Sequence, residues 1–178
     1  YQPYQLMGIP YKDSPPLKNE AEAIAAAEAS RGAQLRDWLA EIGTAAAGDE
    51  SVFVTGDFNE PSHLDWTQAA ANAGHHPCAV AFPASRAMAG AGFADAYRAK
   101  FANEVAQPGH TWTPTTSPDD PKDHHDRIDF VYFKSSHATV SDVRIVGESR
   151  ANADTVVSPY PSDHRAVAAR FSLHSTPR

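Results

Sequence analysis

The chain has 178 residues, 42% of them hydrophobic and 21% charged, with a formal net charge of −7 and a single cysteine. That length fits one domain over residues 1–178 better than two, no apolar run approaches the ~20 residues of a membrane span, and Cys78 alone excludes an internal disulfide or a thiolate cluster. The acidic balance disfavours a protein that grips long stretches of nucleic acid, because basic side chains supply most of that affinity and the one modest basic cluster, Arg144 to Arg150, is diluted by Glu148.

In chain order, the sequence starts at Tyr1 rather than at a methionine and has no signal peptide, which predicts a processed or truncated N-terminus. Pro3, Pro10, Pro15 and Pro16 predict an irregular or extended opening. From about Asn19 to Thr44, Ile24, Leu35, Trp38, Leu39 and Ile42 recur at the spacing of a buried helical stripe, with Ser30, Arg31 and Gly32 as a weak point. Ser51 to Thr55 is a β-branched apolar run between Gly48-Asp49 and Gly56, which predicts a buried strand. A helix is expected from Ser62, its cap, to about Asn72, and a shorter one from Ala84 to Ala89.

The second half predicts strands at Thr111–Thr113, Arg127–Phe133, Val140–Val146 and Ala166–Leu173. Ile128, Phe130 and Tyr132 alternate with Asp129, Val131 and Phe133, so that strand carries bulk on both faces and should be covered on both. The fold class that follows is α+β: helices beside a mostly antiparallel sheet in a layered α/β sandwich. Cys78, Trp66 and Trp112 are expected in the core. His63, His75, His76, His124 and His125 fall in loops or caps and are expected to be mostly solvated.

Three short segments concentrate chemistry. Gly56-Asp57-Phe58-Asn59 ends the first strand, and in extended geometry Asp57 and Asn59 point the same way while Phe58 points inward. Two readings stand for it: a site on a rigid scaffold, or a Gly-Asp turn supporting the next helix. Asp126-Arg127-Ile128-Asp129-Phe130 places Asp129 in an apolar strand, where an unpaired carboxylate is costly. Its partner is an imidazole in one reading and Arg127 in the other. Pro161-Ser162-Asp163-His164-Arg165 precedes the last strand, where Asp163 and His164 point apart, one towards a cation and the other towards substrate. The alternative there is a polar turn.

These three segments, in this order, resemble the motif set of the endonuclease/exonuclease/phosphatase superfamily, which includes deoxyribonucleases, repair endonucleases, sphingomyelinases, inositol polyphosphate phosphatases and deadenylases. Phe93-Ala94-Asp95-Ala96-Tyr97 and Thr111-Trp112-Thr113-Pro114 add to the likeness. The resemblance implies a deoxyribonuclease-like sandwich and a metal-dependent phosphoesterase that cleaves a phosphodiester or phosphomonoester with an activated water. It further implies that Asp57 positions that water, Asn59 bonds the phosphate or nucleophile, Asp129 fixes His164, His164 meets a phosphate oxygen, and Asp163 helps hold Mg²⁺ or Mn²⁺. No counterpart of the family's early asparagine and glutamate stands upstream of Asp57. The resemblance therefore implies the C-terminal half of the fold, with one mostly antiparallel sheet and flanking helices, an incomplete metal site, low activity in isolation, and a missing N-terminal half or another chain covering the sheet. A DNA or RNA nuclease, or a catalytically incomplete binding module, is the alternative. Asp126 stands where repair endonucleases commonly carry Trp, which argues against abasic-site repair.

Overall fold

Local signals set most helix boundaries. The structure, a computed structural model, describes residues 1–46 and 48–174. The opening is not extended as expected: Pro3 sits in the first turn of α1 (Gln2–Met7), where its missing N–H costs nothing, and Gly8 at φ 71° ends the helix in the left-handed region. Asn19 caps α2 (Glu20–Ala27) by accepting the Glu22 amide, and Glu20 and Glu22 put negative charge at the helix's positive end. The expected weak point is a π-helical turn, Glu28–Gly32, after which α3 (Ala33–Ala45) continues. The helix expected from Ser62 forms only as α4 (Gln68–Asn72), because Thr67 supplies the cap while the Ser62 carbonyl instead closes a turn onto Asp65 and Trp66. α5 (Pro83–Gly90) begins on a proline, and α6 (Ala96–Lys100) is capped by the Asp95 carboxylate.

β1 (Val52–Asp57), β2 (Ala94–Asp95) and β3 (Asp129–Lys134) make one antiparallel sheet in the order β1-β3-β2. β4 (Ala138–Gly147), β5 (Thr155–Val156) and β6 (Ala166–Leu173) make a second, ordered β5-β4-β6, with β4–β6 antiparallel and β4–β5 parallel. The layered α+β fold expected from the sequence is present, with its strands divided between two sheets. The division has a simple cause: both edges of β3 are already taken by β1 and β2, so β4 pairs with β6 instead.

The strand expected to be buried, β1, lies at a sheet edge. Val54 is buried, but Phe53 is 43% exposed and Thr55 faces solvent. Only one edge of β1 is paired among the described residues. Thr111–Thr113 is not a strand either; Trp112 alone bridges to Asp126 and to His164, and Pro114 beyond it has no N–H to extend a ladder.

Covering β3 on both faces fixes the layers. Phe130 and Tyr132 pack on Val54, Met88 and Phe93 beneath Trp38, Leu39 and Ile42 of α3. Val131 and Phe133 on the opposite face meet Tyr97 of α6 and Val143 and Ile145 of the second sheet. Trp66, Val80 and Phe82 form a further cluster that Cys78 borders, half-buried.

Polar side chains lock these layers together. Arg127 is buried to 1% and pairs with Asp65 at 2.8 Å and Asp95 at 2.7 Å, while Arg98 reaches Asp65 at 2.6 Å. Two guanidinium groups thus meet two carboxylates in the interior. Near the second sheet, Arg165 is 2% exposed and its Nε and Nη2 donate to the two oxygens of Glu148 at 2.8 and 2.6 Å.

Asp65→Ala leaves buried guanidinium charge uncompensated, so chemical denaturation should show a loss of roughly 3–5 kcal/mol. The Arg165 fork holds the Glu148 carboxyl down to a pKa of about 2. A depressed folded pKa contributes stability that is complete above the unfolded glutamate value, about 4.3, and is lost as pH falls through about 2. Glu148→Gln should therefore lower the melting temperature at pH 7 and narrow its deficit towards pH 2.

Candidate functional site

β1 ends at Asp57 and β3 begins at Asp129, and the antiparallel register sets these two carboxylates opposite each other. Beyond β1 the chain turns at Asn59, whose φ of 49° suits an asparagine. Its backbone N–H donates to Asp57 Oδ1 and its side-chain amide to Oδ2, both at 2.7 Å. Both Asp57 oxygens are thereby oriented by one residue. Phe58 points the other way, into Trp38, Phe130 and Tyr132, as the alternation of side chains requires.

His164 reaches the same place from the segment before β6. Its Nδ1 lies 2.9 Å from Asp129 Oδ2. A carboxylate only accepts, so Nδ1 carries the proton and Nε2 is left for a ligand. Arg127, the other partner open to Asp129 from sequence, is committed to Asp65 and Asp95. The ring of His164 rests edge-on against Trp112, centroids 5.0 Å apart.

Buried Thr111 aligns two of these segments, the start of β3 and the stretch that carries His164. Thr111 Oγ1 accepts the amides of Ile128 and Asp129 at 3.0 and 3.1 Å, and its carbonyl accepts the Arg165 amide at 2.7 Å. Thr113 Oγ1 donates to the Asp163 carbonyl at 2.8 Å. Asp57, Asp129 and His164 converge, each offering a ligand atom within 4.8 Å of the others. The exposed Asp163 carboxylate is not one of these three, and Asn59 joins them only through Asp57.

The donor set suits a hard divalent cation. Two carboxylates face each other across the strand pair, and Asp57 feels the mismatch: burial raises its pKa, the Asn59 amide opposes that, and the Asp129 charge raises it further. Two carboxylates and an imidazole at this spacing are a group that could hold a metal ion.

Several residues near the site were not singled out from sequence. Arg31, on the π turn, pairs with the buried Glu60 at 3.0 Å and, with Asp57, lines a groove of about 310 Å³ between α3 and β1. Its position at the expected helix weak point was the available signal. Trp112 is half-buried at the site rather than in the core, because its indole N–H is drawn to the Tyr4 hydroxyl at 2.8 Å. None of the five histidines expected to be mostly solvated is exposed. His76 and His125 are buried, while His63, bonded to Ser85, and His75 and His124 are half-buried.

Asp57 yields a test of charge strain. Its folded pKa is raised above the unfolded value, so its penalty is absent below the unfolded pKa and complete above the folded one. The stability of wild type relative to Asp57→Asn, followed by circular dichroism, should thus rise as pH falls from 7 towards about 3.9.

An uncharacterized protein of Caenorhabditis elegans is 29% identical over 182 residues, covering 92% of this chain and 56% of the relative. The chain thus spans about half the length of the relative it matches. The sequence pattern of the Endonuclease/Exonuclease/phosphatase family matches residues 10–164, from before α2 to the histidine that contacts Asp129. Its members are generally divalent-metal-dependent hydrolases of phosphate esters, and this chain belongs to the endonuclease/exonuclease/phosphatase family.

Proposed function

We propose that this chain carries the water-activating and phosphate-stabilising half of a metal-dependent phosphoesterase. The observation that carries the reading is the convergence of Asp57 with the Asp129–His164 pair. In the proposed reaction a water oxygen bonds to phosphorus in line with the departing ester oxygen as the P–O bond breaks. Asp57, held by Asn59, orients that water and receives its proton. His164, with its Nδ1–H held by Asp129, acts in the doubly protonated form and donates its Nε2–H to a non-bridging phosphate oxygen, where negative charge accumulates in the transition state. Asn59 contributes a second polar contact to the phosphate or the nucleophile.

Asp163, whose carboxylate is exposed next to His164 in sequence, would help hold Mg²⁺ or Mn²⁺. The cation would neutralise charge on the phosphoryl group. The acidic net charge of −7 favours a small or lipid-derived phosphate ester over long nucleic acid. The open edge of β1 is a place for a further strand from outside these residues, and the greater length of the relative supports that reading.

Hydrolysis of bis-p-nitrophenyl phosphate and of plasmid DNA, with and without Mg²⁺, tests the proposal on the full-length protein. The small ester should be cleaved only with the cation, and His164→Ala should lower kcat at least about 10²-fold. Activity that survives His164→Ala or chelation would overturn the mechanism. Efficient plasmid cleavage would instead support the nuclease alternative.

A further inference from the structure

A second group of ligand-type side chains lies apart from Asp57 and His164, where two irregular segments meet. His76 comes from the loop after α4, and His124 and Asp126 come from the loop that leads into β3. His76 Nδ1 is 3.3 Å from His124 Nε2, and His124 Nε2 is 3.7 Å from Asp126 Oδ1. All three ligand atoms lie within 4.8 Å of one another. Two imidazole nitrogens bound tetrahedrally to one zinc ion at about 2.0–2.1 Å stand about 3.3 Å apart. We propose that His76, His124 and Asp126 form a second cation site, which takes a borderline transition-metal ion, Zn²⁺ foremost.

Charge supports the assignment. Asp126 is 2% exposed. The two buried arginines nearby, Arg98 and Arg127, are matched by Asp65 and Asp95, so Asp126 adds a third carboxylate to two guanidinium groups. Its own hydrogen-bond partners are neutral: Trp66 Nε1 donates to Oδ1 at 2.8 Å and the Tyr1 hydroxyl to Oδ2 at 2.9 Å. These donors orient the carboxylate without cancelling its charge, which either a protonated His124 at 3.7 Å or a cation bound by both residues offsets.

The imidazoles are likewise pre-set. Trp66 stacks flat on His76, centroids 4.0 Å apart and planes at 12°. His76 is 9% exposed, and a buried imidazole favours the neutral form that ligates metals. His76 and His124 both line a cavity of about 510 Å³, shared with His75, His125 and Asp123, through which an ion enters and a water can complete the coordination. Two nitrogens and one carboxylate oxygen fit Zn²⁺ better than the all-oxygen preference of Mg²⁺. Trp112, which bridges to Asp126 on one side and His164 on the other, separates this group from the first one. A metal here ties the loop after α4 to the base of β3.

Titration of the chain with Co²⁺, followed by its visible absorption, tests the site, because tetrahedral cobalt with nitrogen ligands absorbs far more strongly than hexaaquo cobalt. One equivalent should produce the band, Zn²⁺ should abolish it, and Mg²⁺ should not. The band should persist in His164→Ala and vanish in His124→Ala, with folding checked by circular dichroism. Asp126→Asn, which keeps the side-chain volume, is the second variant and should weaken Zn²⁺ binding in equilibrium dialysis by more than about tenfold. Absence of the band in wild type, its survival in both His124→Ala and Asp126→Asn, or its loss in His164→Ala would overturn the proposal. Those results would leave His76 and His124 as a hydrogen-bonded imidazole pair.

Discussion

The buried guanidinium of Arg127 is the constraint on which the remaining structure depends. It stands at the mouth of β3, bonds Asp65 from the turn after Ser62 and Asp95 from the cap of α6, and is faced by Phe130 at 4.7 Å and Tyr97 at 5.2 Å. The Asp95 carboxylate also accepts the amides of Tyr97 and Arg98. One cation therefore connects a loop, a helix start and a strand. Desolvating it is expensive, and such a pair stabilises only when both partners remain. Its value lies in specificity: one Nη2 meets both carboxylates while the planar guanidinium lays its face against aromatic rings, which a lysine cannot do.

With Arg127 committed inward, Asp129 two residues later is free to face the open end of the sheet, and it finds His164 rather than the arginine. Thr111 then sets the spacing, because one hydroxyl and one carbonyl tie β3 to the segment that carries His164. The site is consequently built on hydrogen-bonded backbone rather than on loop tips, and its facing carboxylates hold charge that the fold alone leaves unbalanced. Such a locally unfavourable arrangement is common where a ligand is meant to bind.

How much of this was legible in the sequence depended on the range of the interaction. Side-chain alternation predicted the inward turn of Phe58, and the cost of an unpaired Asp129 predicted an imidazole partner, because both are local arguments about burial. The kink at Glu28–Gly32 was visible as a weak point for the same reason. What failed was non-local. Nothing in Ser51–Thr55 says that a neighbour is present on only one side, so β1 read as buried when it is an edge. The cap at Thr67 in place of Ser62 follows from the Asp65–arginine contacts, which lie far away in sequence. His76 and His124 read as solvated because their packing partner, Trp66, comes from another segment.

The edge position of β1 has a physical consequence beyond the chemistry. A strand with one edge unpaired among the described residues and an exposed Phe53 is a template for recruiting another strand, the step by which sheets fuse into larger assemblies. Asp57 is the last residue of that strand. Whatever zips onto the edge, including a second molecule of the same chain, arrives beside this carboxylate. A strand added there would alter the association of the molecule and access to Asp57 together.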